Sequence, residues 1–212
     1  MGIDALKKAR SHQPFVDFDF QDFAGGYLRD LQRTLEDLSW DDLESLYHEV
    51  VSAIGRDATI HFVGNGGSAA NAVHIANDFI YGIGACGPQP YLTGVRVEAL
   101  TANTGVITCL ANDTGYENIY SKQLEVKGRK DDLLIALSGS GNSPNIVKAI
   151  EIANKLGMKT FAILGFDGGK CKEIAYQPIH INISDMQIAE DSQVIIFHMC
   201  MQWIVQKSLA SK

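Results

Sequence analysis

Apolar positions along the chain switch between two periods. Residues 16–36 (VDFDFQDFAGGYLRDLQRTLE) and 40–55 (WDDLESLYHEVVSAIG) repeat at helical spacing, with Trp40-Asp41-Asp42 reading as a helix start and Gly55 as a stop. From residue 59 the pattern changes. Short continuous apolar runs rich in β-branched or aromatic residues occur at 59–63 (TIHFV), 133–137 (LLIAL), 159–164 (KTFAIL) and 178–183 (PIHINI), as expected for strands buried on both faces. Helical patterns lie between them at 68–81, 117–127, 143–156 and 186–208. Pro144 fits the first turn of one of these, and Gly157 fits its C-terminal cap. This alternation predicts an α/β fold: a three-layer sandwich with a mainly parallel central sheet, preceded by N-terminal helices. The expected division is a helical extension at 1–56 and the α/β domain at 57–212. The extension's apolar stripes (Phe20, Phe23, Leu28, Leu31, Leu35; Leu43, Leu46, Val50, Ile54) look too large for one small sheet, so both helices are expected to pack on a neighbouring subunit.

Composition narrows the function classes. The chain has 212 residues, enough for one domain with a substantial core, and its net charge of −7 makes non-specific nucleic-acid binding a poor fit. Four cysteines (Cys86, Cys109, Cys171, Cys200) show no paired spacing and read as free thiols. With no signal-peptide pattern and no apolar run of membrane-spanning length, a cytoplasmic protein without membrane partners is expected.

In parallel α/β folds ligands collect at the carboxyl ends of the strands. Two such ends carry bare turns: Gly64-Asn65-Gly66-Gly67-Ser68 after the first strand and Ser138-Gly139-Ser140-Gly141-Asn142-Ser143 after LLIAL, each opening a helix. Small residues at a helix N-terminus present backbone N–H groups, hydroxyls and the positive end of the helix dipole, which suits phosphate. A lone loop of this kind is equally well explained by tight turns and Ser143 as a plain cap. Two of them in one small domain favour a ligand. Neither holds the lysine of a nucleotide-triphosphate loop. In the helix after the first turn, His74 and Asp78 stand one turn apart on one face. Glu190 and His198 share a face of the last helix. Two imidazoles and two carboxylates would suit zinc, although a single histidine among apolar neighbours such as Ile195 and Met199 is more often packing than ligand.

The motifs GNGGS, ANDTGYENIYS at 111–121, LSGSGNSPNIVKAIEIA at 137–153 and ILGFDGGK at 163–170 together resemble the sugar isomerase (SIS) domain family, and within it the phosphoheptose isomerases. The resemblance implies the flavodoxin-like SIS fold. It also implies isomerisation of a phosphorylated ketose, sedoheptulose 7-phosphate being the family's substrate. By the same resemblance Ser138, Gly139, Ser140 and Ser143 would hold the phosphate. Asn65, Gly66, Gly67, Ser68, Asn112, Asp113, Asp78 and Glu190 would contact the sugar. His74, Asp78, Glu190 and His198 would bind one Zn2+ per subunit, with Asp78 and His198 catalytic, in a homotetramer whose sites are shared between subunits. Two departures stand out: the family has Glu where this chain has Asp78, and Gln where it has Glu190. They leave open an alternative, a non-catalytic SIS protein that binds phosphosugars or associates with the DnaA replication initiator. A pentose-phosphate isomerase is a third reading, disfavoured because that branch carries extra domains. Matching the last helix through Gln193 instead would remove His198 from the set.

Overall fold

The computed structural model describes residues 19–83 and 95–210. Two helices, α1 (Phe20–Glu36) and α2 (Trp40–Gly55), lead into β1 (Thr59–Gly64), α3 (Gly66–Tyr81), β2 (Arg96–Ala99), α4 (Thr104–Thr114), a 3-10 turn at Tyr116–Asn118 and α5 (Ser121–Lys127). There follow β3 (Leu133–Ser138), α6 (Pro144–Lys155), β4 (Lys159–Leu164), α7 (Gly169–Ile174), β5 (Gln177–His180) and α8 (Met186–Ala210). Residues 16–18, expected at the start of the first helix, and Cys86 lie outside the described residues.

The sheet is wholly parallel, in the order β2-β1-β3-β4-β5. Its central strands are apolar on both faces because each face carries helices. Ile60, Phe62, Leu133, Ile135, Leu137, Phe161 and Ile163 point to a core shared with α2, α3 and α8. Val63, Leu134, Ala136, Ala162 and Leu164 point to a core shared with α5, α6 and α7. At the amino end of the strands Asp132 is buried, and its carboxylate accepts from the Thr59 N–H at 2.8 Å and the Arg129 N–H at 2.9 Å, fastening β1 to the approach of β3.

The two leading helices differ from expectation. Leu43, Leu46 and Val50 of α2 are fully buried within this chain's own core, against the strands and α8, so α2 is part of the α/β unit rather than a projecting extension. Ser45 and Gln177, and Tyr47 and the Ile196 carbonyl, add polar ties at 2.6 and 3.0 Å. Helix α1 does keep an uncovered apolar side, with Phe20, Phe23 and Leu28 exposed. Its link to the body includes the Tyr27 hydroxyl, which donates to Asp191 of α8 at 2.6 Å; that bond raises the phenol to about 12.

Four further elements depart from the sequence pattern. Strand β2, helix α4 and helix α7 were not expected, and the single helix expected at 117–127 is divided into the 3-10 turn and α5. Among the described residues Cys109, Cys171 and Cys200 are free thiols, the latter two buried. No helix among them is long and apolar enough to cross a membrane.

Candidate active site

The carboxyl ends of β1 and β3 lie side by side, with Gly64 in register with Leu137. After β3 the chain folds onto its own backbone. Ser138 Oγ accepts from the Gly141 N–H at 3.1 Å and Ser140 Oγ from the Asn142 N–H at 3.3 Å. Gly141 takes a left-handed φ of 64°, and a Cβ there would lie 1.9 Å from the Gly168 carbonyl oxygen. The loop at 165–169 is therefore a buttress. It is fastened further by the Cys171 N–H on the Gly141 carbonyl (2.9 Å) and the Lys170 N–H on Asn142 Oδ1 (3.0 Å). That gives the GFDGGK segment a physical role which its sequence does not disclose. Ser143 occupies the N-cap position of α6, yet its hydroxyl makes no capping hydrogen bond. Capping therefore does not account for this serine, and an anion at the helix start can use the hydroxyl.

After β1 the turn is shaped by side chains instead. Asn65 precedes α3 but does not cap it. Its amide forms a reciprocal pair with Asn145, Nδ2 donating to Asn145 Oδ1 at 2.9 Å and Oδ1 accepting from Asn145 Nδ2 at 2.7 Å. Ser68 is buried and accepts from Gln193 Nε2 at 3.2 Å, so both side chains are spent inside the fold. A Cβ on Gly67 would lie 2.3 Å from a carboxylate oxygen of Glu190, which is seated on the start of α3. The buried Tyr120 hydroxyl donates to the Gly64 carbonyl and pins the strand end.

Helices α3 and α8 run side by side in the same direction: Glu190 meets Gly67, Gln193 meets Ser68 and Asn71, and His198 meets His74 and Asp78. At this last level three donor atoms form a triangle. His74 Nε2 and His198 Nε2 are 3.0 Å apart, and Asp78 Oδ2 is 3.4 Å from the first and 3.2 Å from the second. Four-coordinate zinc binds such atoms at about 2.0–2.2 Å, which spaces them roughly 3.3–3.6 Å apart in a tetrahedron. The donor types suit a divalent metal, the triangle is a few tenths of an ångström tighter than a bound ion needs, and these three residues make up a possible metal-binding group. Asp78 and His198 line a cavity of about 440 Å³ that also touches Gly82, Met201 and Gln202.

Of the four residues expected at the metal, the structure thus groups His74, Asp78 and His198 and places Glu190 elsewhere. Eight residues along a helix is a rise of about 12 Å. Glu190 and His198 share a face of α8 at different levels, and Glu190 belongs to the β1 turn. Asn112 and Asp113 are exposed on α4 and bond to each other at 2.7 Å. That segment reaches the site through Tyr116 instead, whose hydroxyl donates to Asn65 Oδ1 at 3.1 Å. The sequence reading missed Asn145, Tyr116, Tyr120 and Gln193 as functional neighbours. Gln193 entered only as a rival match for the last helix, and here it packs inside while His198 meets the other imidazole.

Comparison with known proteins identifies the family. The SIS domain family model matches residues 26–165. A phosphoheptose isomerase of Helicobacter pylori is 33% identical over 168 residues, covering 79% of this chain and 84% of that protein. One of Akkermansia muciniphila is 39% identical over 156 residues, covering 70% and 79%. The solved phosphoheptose isomerase of Neisseria gonorrhoeae superposes with a TM-score of 0.78 at 25% identity, over 88% of this chain and 98% of that one. The chain belongs to the SIS domain family and, within it, to the phosphoheptose isomerases.

Proposed function

We propose that the protein interconverts sedoheptulose 7-phosphate and D-glycero-D-manno-heptose 7-phosphate, as a cytoplasmic homotetramer with one zinc ion per subunit. The observation that carries this reading is the His74–Asp78–His198 triangle on α3 and α8, since two facing imidazoles and a carboxylate have no structural task on a half-exposed helix face. The serine loop supplies the anchor: the Ser143 hydroxyl, the backbone of 138–143 and the α6 N-terminus take the phosphate.

Aldose–ketose isomerisation moves one proton between adjacent carbons and a second between their oxygens, through an enediol. Asp78, through the carboxylate oxygen left off the ion, takes the proton from one carbon and returns it to the next. His198 passes the hydroxyl proton between the two oxygens from the ring nitrogen that does not face His74. Glu190, seated on Gly67, faces the sugar chain between anchor and reacting end. Zinc held by His74, Asp78 and His198 would stabilise negative charge on the enediol oxygens. The exposed apolar side of α1 supports contact with a second copy of the chain.

Purified protein assayed with sedoheptulose 7-phosphate, before and after chelation, tests this. Turnover that falls on chelation and returns with zinc is expected. No turnover in either state, with phosphosugar still bound, would move the protein to the non-catalytic reading.

A further inference from the structure

Asn145 is 1% exposed although it stands in the first turn of α6, where an Asn would ordinarily face water. Its carboxamide is turned inward onto Asn65, whose backbone is eighty positions earlier in the chain. Each oxygen of the pair is used twice. Asn145 Oδ1 accepts from Asn65 Nδ2 and from the Ile146 N–H (3.0 Å); Asn65 Oδ1 accepts from Asn145 Nδ2 and from the Tyr116 hydroxyl. The two ends of a carboxamide are chemically distinct, so a reciprocal pair forms at only one separation and one tilt. Burial makes a broken pair costly, because each amide would then leave a donor and an acceptor unmet. The contact joins the residue that opens α3 to the residue that follows the phosphate loop. Its partners sit on three different segments, and none of them is a proton donor or acceptor in the chemistry described above.

We propose that Asn145 is a positioning residue for the isomerase: acting through Asn65, with Tyr116 as the third arm, it fixes the spacing between the two strand-end loops. A sugar anchored by its phosphate at 138–143 then meets the β1 turn, with Asn65 and Glu190, at a set spacing. The proposal rests on the phosphosugar-isomerase reading. Misplacement by about 1 Å costs on the order of a hundredfold in rate, whereas anchoring at one loop does not depend on the distance to the other.

The test is a double-variant cycle on the full chain with Asn145→Ala, Asn65→Ala and both together. Turnover of sedoheptulose 7-phosphate is measured alongside inhibition by inorganic phosphate. Asn145→Ala should lower kcat by about 10- to 100-fold while leaving phosphate inhibition within about twofold, and the double variant should be no slower than Asn65→Ala alone. Multiplying losses in the double variant, unchanged kcat, or phosphate affinity falling in step with kcat would overturn it. Asn145→Asp keeps the volume and both acceptor bonds but sets an oxygen against Asn65 Oδ1, so it breaks the pair without leaving a cavity and carries the comparison if the alanine variant does not fold. It should also speed hydrogen exchange at the amides of 66–69 with the remote end of α6 unchanged. That readout needs no turnover. Unaltered exchange at 66–69 sinks the coupling, whereas an inactive wild type sinks only the isomerase reading.

Discussion

The loops after β1 and β3 leave adjacent strands and both open helices, yet Gly141 in one and Gly67 in the other answer to different neighbours. At Gly141 the constraint is backbone against backbone, with a left-handed φ and the Gly168 carbonyl pressed on it. At Gly67 the constraint is the tip of a side chain, the Glu190 carboxylate. An anion anchor gains from groups fixed in advance, since nothing need reorganise when charge arrives. The chemical end instead uses side chains that one substitution can move. Gly141 and Gly67 are thus separate probes, one set against fixed backbone and one against a movable carboxylate.

The largest effect should come from His198→Ala, which removes an acid–base group from the adjustable side. Turnover should fall by roughly 10²–10⁴-fold, with phosphate inhibition held within about twofold. A matching loss of phosphate affinity would show the two ends to be one unit. Gly141→Ala attacks the rigid side. A left-handed backbone and overpacking against a carbonyl together predict about 2–4 kcal/mol lost in urea unfolding, and phosphate inhibition should weaken with it. A change under about 0.5 kcal/mol would mean that the 165–169 buttress yields.

Gly67→Ala should do the reverse of Gly141→Ala. The helix gains from alanine by up to about 1 kcal/mol, which offsets the displacement of Glu190, so stability should barely move. The kcat/KM should drop by about tenfold, equivalent to roughly 1.4 kcal/mol. Stability and activity falling together would contradict an adjustable β1 turn.

The smallest effect concerns pH. His61 in β1 is 1% exposed, and neither ring nitrogen makes a hydrogen bond, Nε2 standing 3.6 Å from the Asp132 carboxylate. Burial holds its imidazole below the ordinary histidine value, with Lys127 adding to the shift and Asp132 and Glu98 opposing it. The unfolded chain therefore binds the proton more readily. Stability from this group is complete above a pH of about 6.5 and is lost progressively as pH falls from there toward the lowered native value. Thermal midpoints should decline over that window, and His61→Leu should flatten the decline. Phosphate affinity should not track His61, which lies in mid-strand, away from both loops.

How much of this was legible in the sequence followed burial. Strands β1, β3 and β4 were readable because both faces are covered, which leaves an unbroken apolar run. Strand β2, Arg-Val-Glu-Ala, alternates charge with apolar residues at the sheet edge and gives no such run. Helix α4 buries no residue, so its sequence carries no stripe to detect. In the site, His74 and Asp78 were readable from one-turn spacing. His198 was readable as sharing a helix face with Glu190 and gained weight from the family resemblance, and Glu190 was drawn to the wrong level because a shared helix face says nothing about height along it. Asn145 was invisible. An Asn at a helix start looks like capping chemistry, and its partner eighty positions away is known only once β1 and β3 are side by side.

The sheet order also limits how copies of this protein can join. Both edge strands, β2 and β5, are four residues long; one carries Arg96 and Glu98, the other Pro178, which has no N–H to offer a new strand. Among the described residues neither sheet edge is a strong template for strand-by-strand growth, so copies should join through helix surfaces and end in discrete assemblies more readily than in fibres.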